Sequence, residues 1–291
     1  MYLLPRMLFL LQFRGNKLLK EMSIGMAIEV FNRYENKFLI NDAAFEQIHD
    51  ELLHYMKPDE YNRKRDFYTI SNIYFDTRDN TLIRKSMSRP RYKEKLRIRA
   101  YGVPEPDSDV YFEIKKKFCG LVNKRRTRLK LHEAYEFATG RKPEPREYMN
   151  RQVMDEIEYF LKIYDLEPRL YLAYDRKALF CGEHRSLRVT FDTNIRTRRD
   201  GLRLERGDYG EALLEKGQWL MEVKTQSSIP YWLSELLSRH GIYSTRFSKY
   251  GKEYQNLLKN NMNPEGENRL CLNRSLQQRK LIPQYQQQML Y

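Results

Sequence analysis

Six short stretches of this chain place polar or ionic side chains two residues apart, largely between apolar ones. They are Arg33-Tyr34-Glu35-Asn36-Lys37, Lys95-Leu96-Arg97-Ile98-Arg99, Glu113-Ile114-Lys115-Lys116-Lys117, Tyr174-Asp175-Arg176, Arg188-Val189-Thr190-Phe191-Asp192 and Glu222-Val223-Lys224. A spacing of two is the strand period, so the residues two apart in each stretch share one face of a sheet. Those faces are mostly cationic. Arginine forks match phosphate oxygens bidentately and lysines act as point charges, so repeated basic faces suggest a sheet closed around a polyanion. Chemistry on a phosphoanhydride needs positioning, neutralisation of the non-bridging oxygens and usually a divalent metal. Glu35, Glu113 and Glu222 each precede a lysine by two, and a carboxylate on the same lining can hold that metal through oxygen. The competing reading of any one pair is an exposed cross-strand salt bridge worth about 0–1 kcal/mol. Six stretches on successive strands argue against it.

The chain has 291 residues, 41% hydrophobic and 32% charged, with a formal net charge of +14. It can bury a core, and its charge raises the local concentration of anions. Nucleic acid, anionic membrane and polyphosphate all fit that number. Cys119, Cys181 and Cys271 match no disulfide framework or zinc site and read as incidental thiols of a reducing cytoplasm. His49 and His54 are five apart and do not form a helical metal pair, so no catalytic histidine is assigned. The run Met1 to Phe13 is apolar but holds Pro5 and Arg6. It is shorter than the roughly 20 residues that span a bilayer and lacks a signal cleavage site. It reads as an interfacial anchor or, preferably, as sequence upstream of a start at Met22 or Met26.

The elements that must position these residues follow from pattern. Strands are expected over 28–40, 69–76, 91–101, 110–118, 121–131, 170–180, 186–195 and 219–225. Helices are expected from an Asn41 or Asp42 cap to Pro58, over 132–139, over 150–164, from Ser228 and Pro230 to Gly241, and over 247–258. Gly120 reads as a turn between two of the strands. Helices separate groups of strands instead of following each one, which predicts an α+β fold: an antiparallel β-barrel or tunnel of about eight strands with helices packed outside. Residues 1–25 are read as an extension, 26–260 as one domain and 261–291 as a disordered Gln/Asn-rich tail. The basic cluster Lys115-Lys116-Lys117 with Lys124-Arg125-Arg126-Thr127-Arg128 offers a nucleic-acid patch as an alternative, weakened because only Phe118 is interleaved with it.

The segments Arg33–Phe38, Ile73–Thr77, Lys95–Tyr101, Phe112–Lys117, Asn123–Arg126, Tyr171–Ala178, Leu187–Thr193, Leu220–Thr225 and Arg246–Gly251 together resemble the VTC domain, the polyphosphate polymerase domain of the triphosphate tunnel metalloenzyme superfamily. The resemblance implies a tunnel that transfers the γ-phosphate of ATP onto a growing polyphosphate chain with Mn²⁺ or Mg²⁺ and releases ADP. It implies Lys37, Arg97, Arg99, Lys115, Arg176, Arg188, Arg246 and Lys249 as phosphate ligands, with Lys124, Arg125 or Arg126 filling a further place. Lys224 joins the substrate-binding set. Glu222 is implied as the metal carboxylate and Tyr174 as a tunnel-wall hydroxyl. Hydrolase and cyclase members open with Glu-x-Glu-x-Lys, whereas this chain has Arg33 first, which points to the polymerase branch. The implied setting is a cytoplasmic, stand-alone form working beside a separate membrane protein, with no nucleic acid partner. A tripolyphosphatase on the same scaffold and a non-catalytic polyphosphate- or nucleic-acid-binding module are the alternatives. Arg246 and Lys249 are three apart and are expected to share the first turn of the last helix. On that placement Lys249→Ala leaves the unliganded protein as stable or slightly more so, because cations oppose the dipole at a helix start.

Overall fold

Alternating apolar and charged residues make a sheet with two unlike faces. The computed structural model, which describes residues 31–62, 66–182, 187–226 and 228–262, closes that sheet into a barrel. The strands are β1 (Phe31–Asn41), β2 (Met56–Pro58), β3 (Tyr68–Thr77), β4 (Tyr92–Tyr101), β5 (Asp109–Phe118), β6 (Leu121–Lys130), β7 (Leu166–Cys181), β8 (Arg188–Arg198), β9 (Glu211–Ala212) and β10 (Gln218–Thr225). All pairings are antiparallel, and the ring runs β7-β3-β4-β5-β6-β1-β10-β8, closed by pairing of β8 with β7. Eight strands thus make the barrel, while β2 and β9 extend β7 and β8. The α+β barrel expected from the sequence is the fold observed.

The helices are α1 (Asp42–Leu53), α2 (Thr81–Met87), α3 (Leu131–Ala138), α4 (Arg151–Ile163), α5 (Tyr231–Arg239) and α6 (Lys249–Met262). Asn41 caps α1 by accepting from the Ala44 amide at 2.9 Å, and Asn150 caps α4 by accepting from Val153 at 3.0 Å. One outer apolar layer joins Leu96, Ile98, Phe112 and Ile114 of the strands to Phe137 of α3 and Val153 and Ile157 of α4. A second joins Phe38, Val189, Phe191, Met221 and Val223 to Ile48 and Leu52 of α1 and to Leu233 and Leu236 of α5. Apolar residues therefore face out toward helices, and their charged neighbours face the barrel interior. The chain divides into two units, Met1–Gly251 and Lys252–Tyr291. The barrel lies in the first; in the second, 252–262 are helical.

Several boundaries differ from expectation. Helix α1 ends at Leu53, and Pro58 sits in the short strand β2, where an edge position tolerates its missing N–H. The elements α2, β2 and β9 were not anticipated; each is too short to show a period. Helix α6 starts at Lys249 instead of Phe247 and runs through Met262, past the expected onset of the tail. The extension 1–25 and the tail from 263 on lie outside the described residues. Cys119 and Gly120 form the β5–β6 turn with φ of 46° and 94°, the left-handed conformation such hairpins require.

Helix α2 exists because of one carboxylate. Asp76, fully buried at the end of β3, accepts from the amides of Thr77 and Leu82 at 2.8 Å and of Ile83 at 2.9 Å, and from the Tyr250 hydroxyl at 3.1 Å. Asp76→Ala leaves those amides unpaired and is expected to lower stability by about 2–4 kcal/mol. Denaturant melts check this, and an unchanged midpoint would show that α2 is held by other contacts.

Candidate functional site

Cross-strand register carries the charged residues around the inside of the barrel. Tyr74, Arg97, Glu113 and Arg126 are successive partners across β3, β4, β5 and β6. Arg97 forks onto Glu113 Oε2 at 2.8 and 2.7 Å and donates to the Tyr74 hydroxyl at 2.8 Å. Lys124 reaches Glu113 Oε1 at 3.0 Å, and Arg99 stands 3.8 Å from Oε2. Arg99 also donates to Asn72 at 3.0 Å and to the Tyr174 hydroxyl at 3.2 Å. Burial works against ionisation of Glu113, but Arg99, Lys124 and Arg97 overcome it and hold its carboxyl well below the usual range.

A second group lies on β1, β10 and β8. Lys37 stands between Glu35 at 3.1 Å and Glu222 at 3.5 Å. Glu35 also pairs with Lys115 at 3.0 Å, and Lys224 donates to Glu222 at 2.6 Å and to Thr190 at 3.0 Å. Burial opposes ionisation of Glu222, yet Lys224, Lys249 and Lys37 keep it ionised. The third group is Arg176 on Asp192, bidentate at 2.6 and 2.8 Å, with Glu222 at 3.8 Å from Arg176. Lys249 enters this group from the first residue of α6. Its Nζ lies 2.5 Å from Asp192, 3.3 Å from Glu222 and 4.5 Å from the centre of the Tyr174 ring.

The lining cations outnumber the carboxylates Glu35, Glu113, Asp192 and Glu222. Lys95 shows the consequence. Among the described residues its hydrogen-bond partner is Ser248 at 3.0 Å, and burial together with Lys37, Lys115 and Lys93 pushes its pKa down to about 7. Lys124 is also lowered to about 7, by burial and by Arg99 and Arg126, against the pull of Glu113. Burial would raise the Tyr74 hydroxyl, but Arg97 and Arg99 bring it below its ordinary value. An interior that makes lysine ammonium groups acidic has unmet demand for negative charge.

Of the residues singled out from sequence, Lys37, Arg97, Arg99, Lys115, Lys124, Tyr174, Arg176, Glu222, Lys224 and Lys249 share this interior. Arg188 keeps the inward parity opposite Lys224, but its half-exposed guanidinium pairs with Asp59 at 2.7 Å toward one mouth. Arg126 lies 4.4 Å over the Tyr111 ring at the same mouth. Arg246 departs from expectation. It is exposed and precedes α6 by three residues, so it shares no helix turn with Lys249; the Thr245 amide beside it donates to the Lys37 carbonyl at 2.6 Å. The basic cluster of β5 and β6 is split by the pleat. Lys115, Lys124 and Arg126 turn inward, while Lys116 and Arg125 pair with Glu156 of α4, Arg125 at 2.8 Å. Arg125 is thereby removed as the alternative to Lys124. Asp192, Lys95, Tyr74 and Asn72 belong to the interior without having been singled out as site residues. Their strand parity was the available signal.

Among the described residues no cluster of three or more His, Cys, Asp or Glu could hold a metal ion by itself. Glu113 is a poor candidate, because both its oxygens are taken by Arg97 and Lys124 with no exposure. Glu35 and Glu222 are likewise paired through both oxygens, to Lys37 and Lys115 and to Lys37, Lys249, Lys224 and Arg176, but their side chains keep 9% and 8% exposure where Glu113 has none. They share Lys37, and a hard cation bound through one or two carboxylates together with substrate phosphates needs no larger protein donor set.

A family model described as the VTC domain matches residues 32–258. Vacuolar transporter chaperone complex subunit 4 of Trypanosoma brucei brucei is 28% identical over 216 residues, 62% of this chain and 27% of that protein. The chain thus spans about a quarter of the length of that relative. Among solved structures, a candidate adenylate cyclase from Bacillus halodurans aligns with a TM-score of 0.48 at 18% identity, over 76% of this chain and 96% of its own. A candidate adenylyl cyclase from Hippeastrum with a dominant triphosphatase activity aligns at 0.44 and 16%, over 77% and 96%.

Two substitutions should move stability in opposite directions. Lys249 is buried between two carboxylates, not solvated at a helix end, so the expectation of a neutral or stabilising Lys249→Ala is revised. That variant should lose about 1–3 kcal/mol, since Asp192 keeps Arg176 but Glu222 loses a partner. Lys95 behaves inversely. Its pKa is about 7 in the folded chain against an ordinary 10.5. Between those values the unfolded chain keeps a proton that the folded chain has released, so this group's contribution to stability rises with pH across that window. Below about 7 both states carry the charge and the repulsion is present in full. Lys95→Met should therefore raise the melting temperature at about pH 6 and raise it less at about pH 9. Melts of both variants across pH check the signs; a uniform loss for Lys95→Met would show that Lys95 is compensated.

Proposed function

This chain belongs to the VTC domain family, and from that membership we propose that it transfers the terminal phosphate of ATP onto a growing polyphosphate chain inside its barrel and releases ADP. The observation that supports the reading is the excess of buried cations over carboxylates on a closed, inward-facing lining.

Phosphoryl transfer asks the protein for alignment and charge neutralisation more than for covalent chemistry. Arg97, Arg99 and Arg176 present planar forks from three strands, now turned to Glu113, Asn72 and Asp192. Phosphate oxygens can take up the remaining donors of those forks while the carboxylates keep them oriented. Lys37, Lys115 and Lys249 bring point charges from β1, β5 and α6 to the same space, fixing donor and acceptor phosphates end to end. Lys95 gains a proton as polyanion arrives, which ties binding to proton uptake. Glu222 and Glu35 are the carboxylates that would hold Mn²⁺ or Mg²⁺, and such an ion when bound would neutralise charge shared by the reacting phosphates. Burial of the reacting groups strengthens each of these interactions.

The reading extends to setting. The Trypanosoma relative is by its name a subunit of a complex, which supports work beside a partner, here proposed as a separate membrane protein on the cytoplasmic side. No helix among the described residues is long and apolar enough to cross a membrane.

The test is one incubation with ATP and Mn²⁺, resolved on a polyphosphate gel. A ladder of polymer with ADP is expected. Orthophosphate alone would make the chain a hydrolase, and untouched ATP would make it a binder. Glu222→Gln should reduce polymer formation by about a hundredfold, the scale for removing a main electrostatic group. A thermal melt in parallel establishes that the variant is folded, and near-normal synthesis by it would move the role to Glu35.

A further inference from the structure

Phosphoryl transfer leaves the nucleoside of ATP without a place, and the two ends of the barrel differ in a way that supplies one. At one end Lys93, Lys95 and Lys117 crowd together, each with its pKa lowered by burial and by neighbouring lysines. The ring beside Lys95, Tyr250, is only 3% exposed. At the other end the inward positions become aromatic. Tyr101 follows Arg99 by one inward position, Tyr111 precedes Glu113 by one, and Tyr68 is the cross-strand partner of Arg176.

Tyr61 joins them from the turn before β3. Its ring lies parallel to Tyr101 within 5°, at 5.2 Å between centroids. Tyr68 tilts against Tyr61 at 5.2 Å, and Tyr111 meets Tyr101 edge-on at 6.1 Å. The turn is fastened, not loose. Asn62 accepts from the Ala178 amide at 2.9 Å and donates to the Arg176 carbonyl at 3.3 Å, which fixes the backbone next to Tyr61 on β7. Yet Tyr61 stays 54% exposed and Tyr101 37%. A stack that only sealed the barrel would bury its rings; this one holds a rigid aromatic face open to solvent beside the phosphate ligands.

We propose that this tyrosine mouth binds the nucleobase of the nucleotide by stacking on Tyr61 and Tyr101, and so orients ATP with its terminal phosphate directed inward, toward the lysine end. The inference rests on the phosphoryl-transfer reading for the direction of the triphosphate. One inward strand position is about 7 Å, which leaves room for a ribose between a base on Tyr101 and a phosphate at Arg99. Arg126, held over Tyr111, flanks the passage between them. Stacking accepts any base, so the platform binds nucleotides as a class.

Binding of ATP and of inorganic tripolyphosphate to the full chain separates base from phosphate. Tyr61→Ala, and the double variant with Tyr101→Ala, should weaken ATP by about tenfold or more, the scale for loss of one stacked base. Tripolyphosphate affinity should stay within about twofold, because no phosphate ligand is touched. Tyr61→Phe with Tyr101→Phe should keep both affinities, since a phenyl ring stacks as well. Quenching of ethenoadenosine triphosphate fluorescence should appear with the native chain and vanish in the alanine variants. Equal weakening of both ligands, or unchanged ATP affinity in the folded double variant, overturns the proposal. If the gel shows no polymer while the selective loss of ATP affinity holds, polymer synthesis falls and the base platform stands.

Discussion

Like charges held close together in an enclosed interior are the condition on which this barrel is organised. At 4 Å two unit charges repel by about 4 kcal/mol at the effective dielectric near a protein surface, and by more inside. The interior manages this by interposing carboxylates. Glu35 separates Lys37 from Lys115, Glu113 separates Arg97 from Lys124, and Glu222 stands among Lys37, Lys224 and Lys249. Each spacer is burial-penalised and ionised all the same, because the cations around it more than offset the lost solvation. Where burial and neighbouring cations outweigh the carboxylates, as at Lys95, Lys124 and Lys224, the lysine itself becomes acidic.

Such an interior is stable only if the other face of every strand is strongly apolar. Leu96 and Ile98 are fully buried on either side of Arg97, and Val223 is fully buried between Glu222 and Lys224. A slip of one residue in any strand would send the lysines into the helix-covered layer and the leucines into the basic interior. The two apolar layers therefore fix the register, and the register places the cations. Closure adds to this. With β8 paired to β7, the eight barrel strands have no free edge through which their ladder could slide.

Much of this was legible in the sequence because parity is local. Arg97 and Arg99, Glu113 and Lys115, and Glu222 and Lys224 declare a shared face by their spacing, and Leu96, Ile98, Ile114 and Val223 declare the opposite one. Neither the partner of each charge nor its distance along the barrel axis is local. Asp192 stood in a recognised stretch, yet its role as the carboxylate under both Arg176 and Lys249 needs β7, β8 and α6 brought together. The bulge near Asn194, with its φ of 47°, shifts the β7–β8 register and leaves little trace in composition. The start of α6 was misplaced for a local reason. Ser248, the residue before the helix, accepts from the Gly251 amide at 3.2 Å, a capping signal that marks Lys249 as the first helical residue and leaves Arg246 outside.

The division of labour between arginine and lysine follows from the same electrostatics. Arginine does not lose its proton in a protein, so a guanidinium can be surrounded by other cations and stay charged. Arg97, Arg99 and Arg176 occupy enclosed positions, each bonded to polar groups from neighbouring strands, and form a frame of constant charge. Lysine titrates, and it does so at Lys95, Lys124 and Lys224, lowered to about 7, 7 and 8 by burial first and nearby cations second. An interior built of arginine alone would carry its full repulsion whether or not an anion was present. With lysines near neutral pH, part of the charge is shed when the barrel is unliganded and returns when phosphates arrive. The same residues then relieve the folded state of repulsion and still supply positive charge where a moving chain of phosphates meets them.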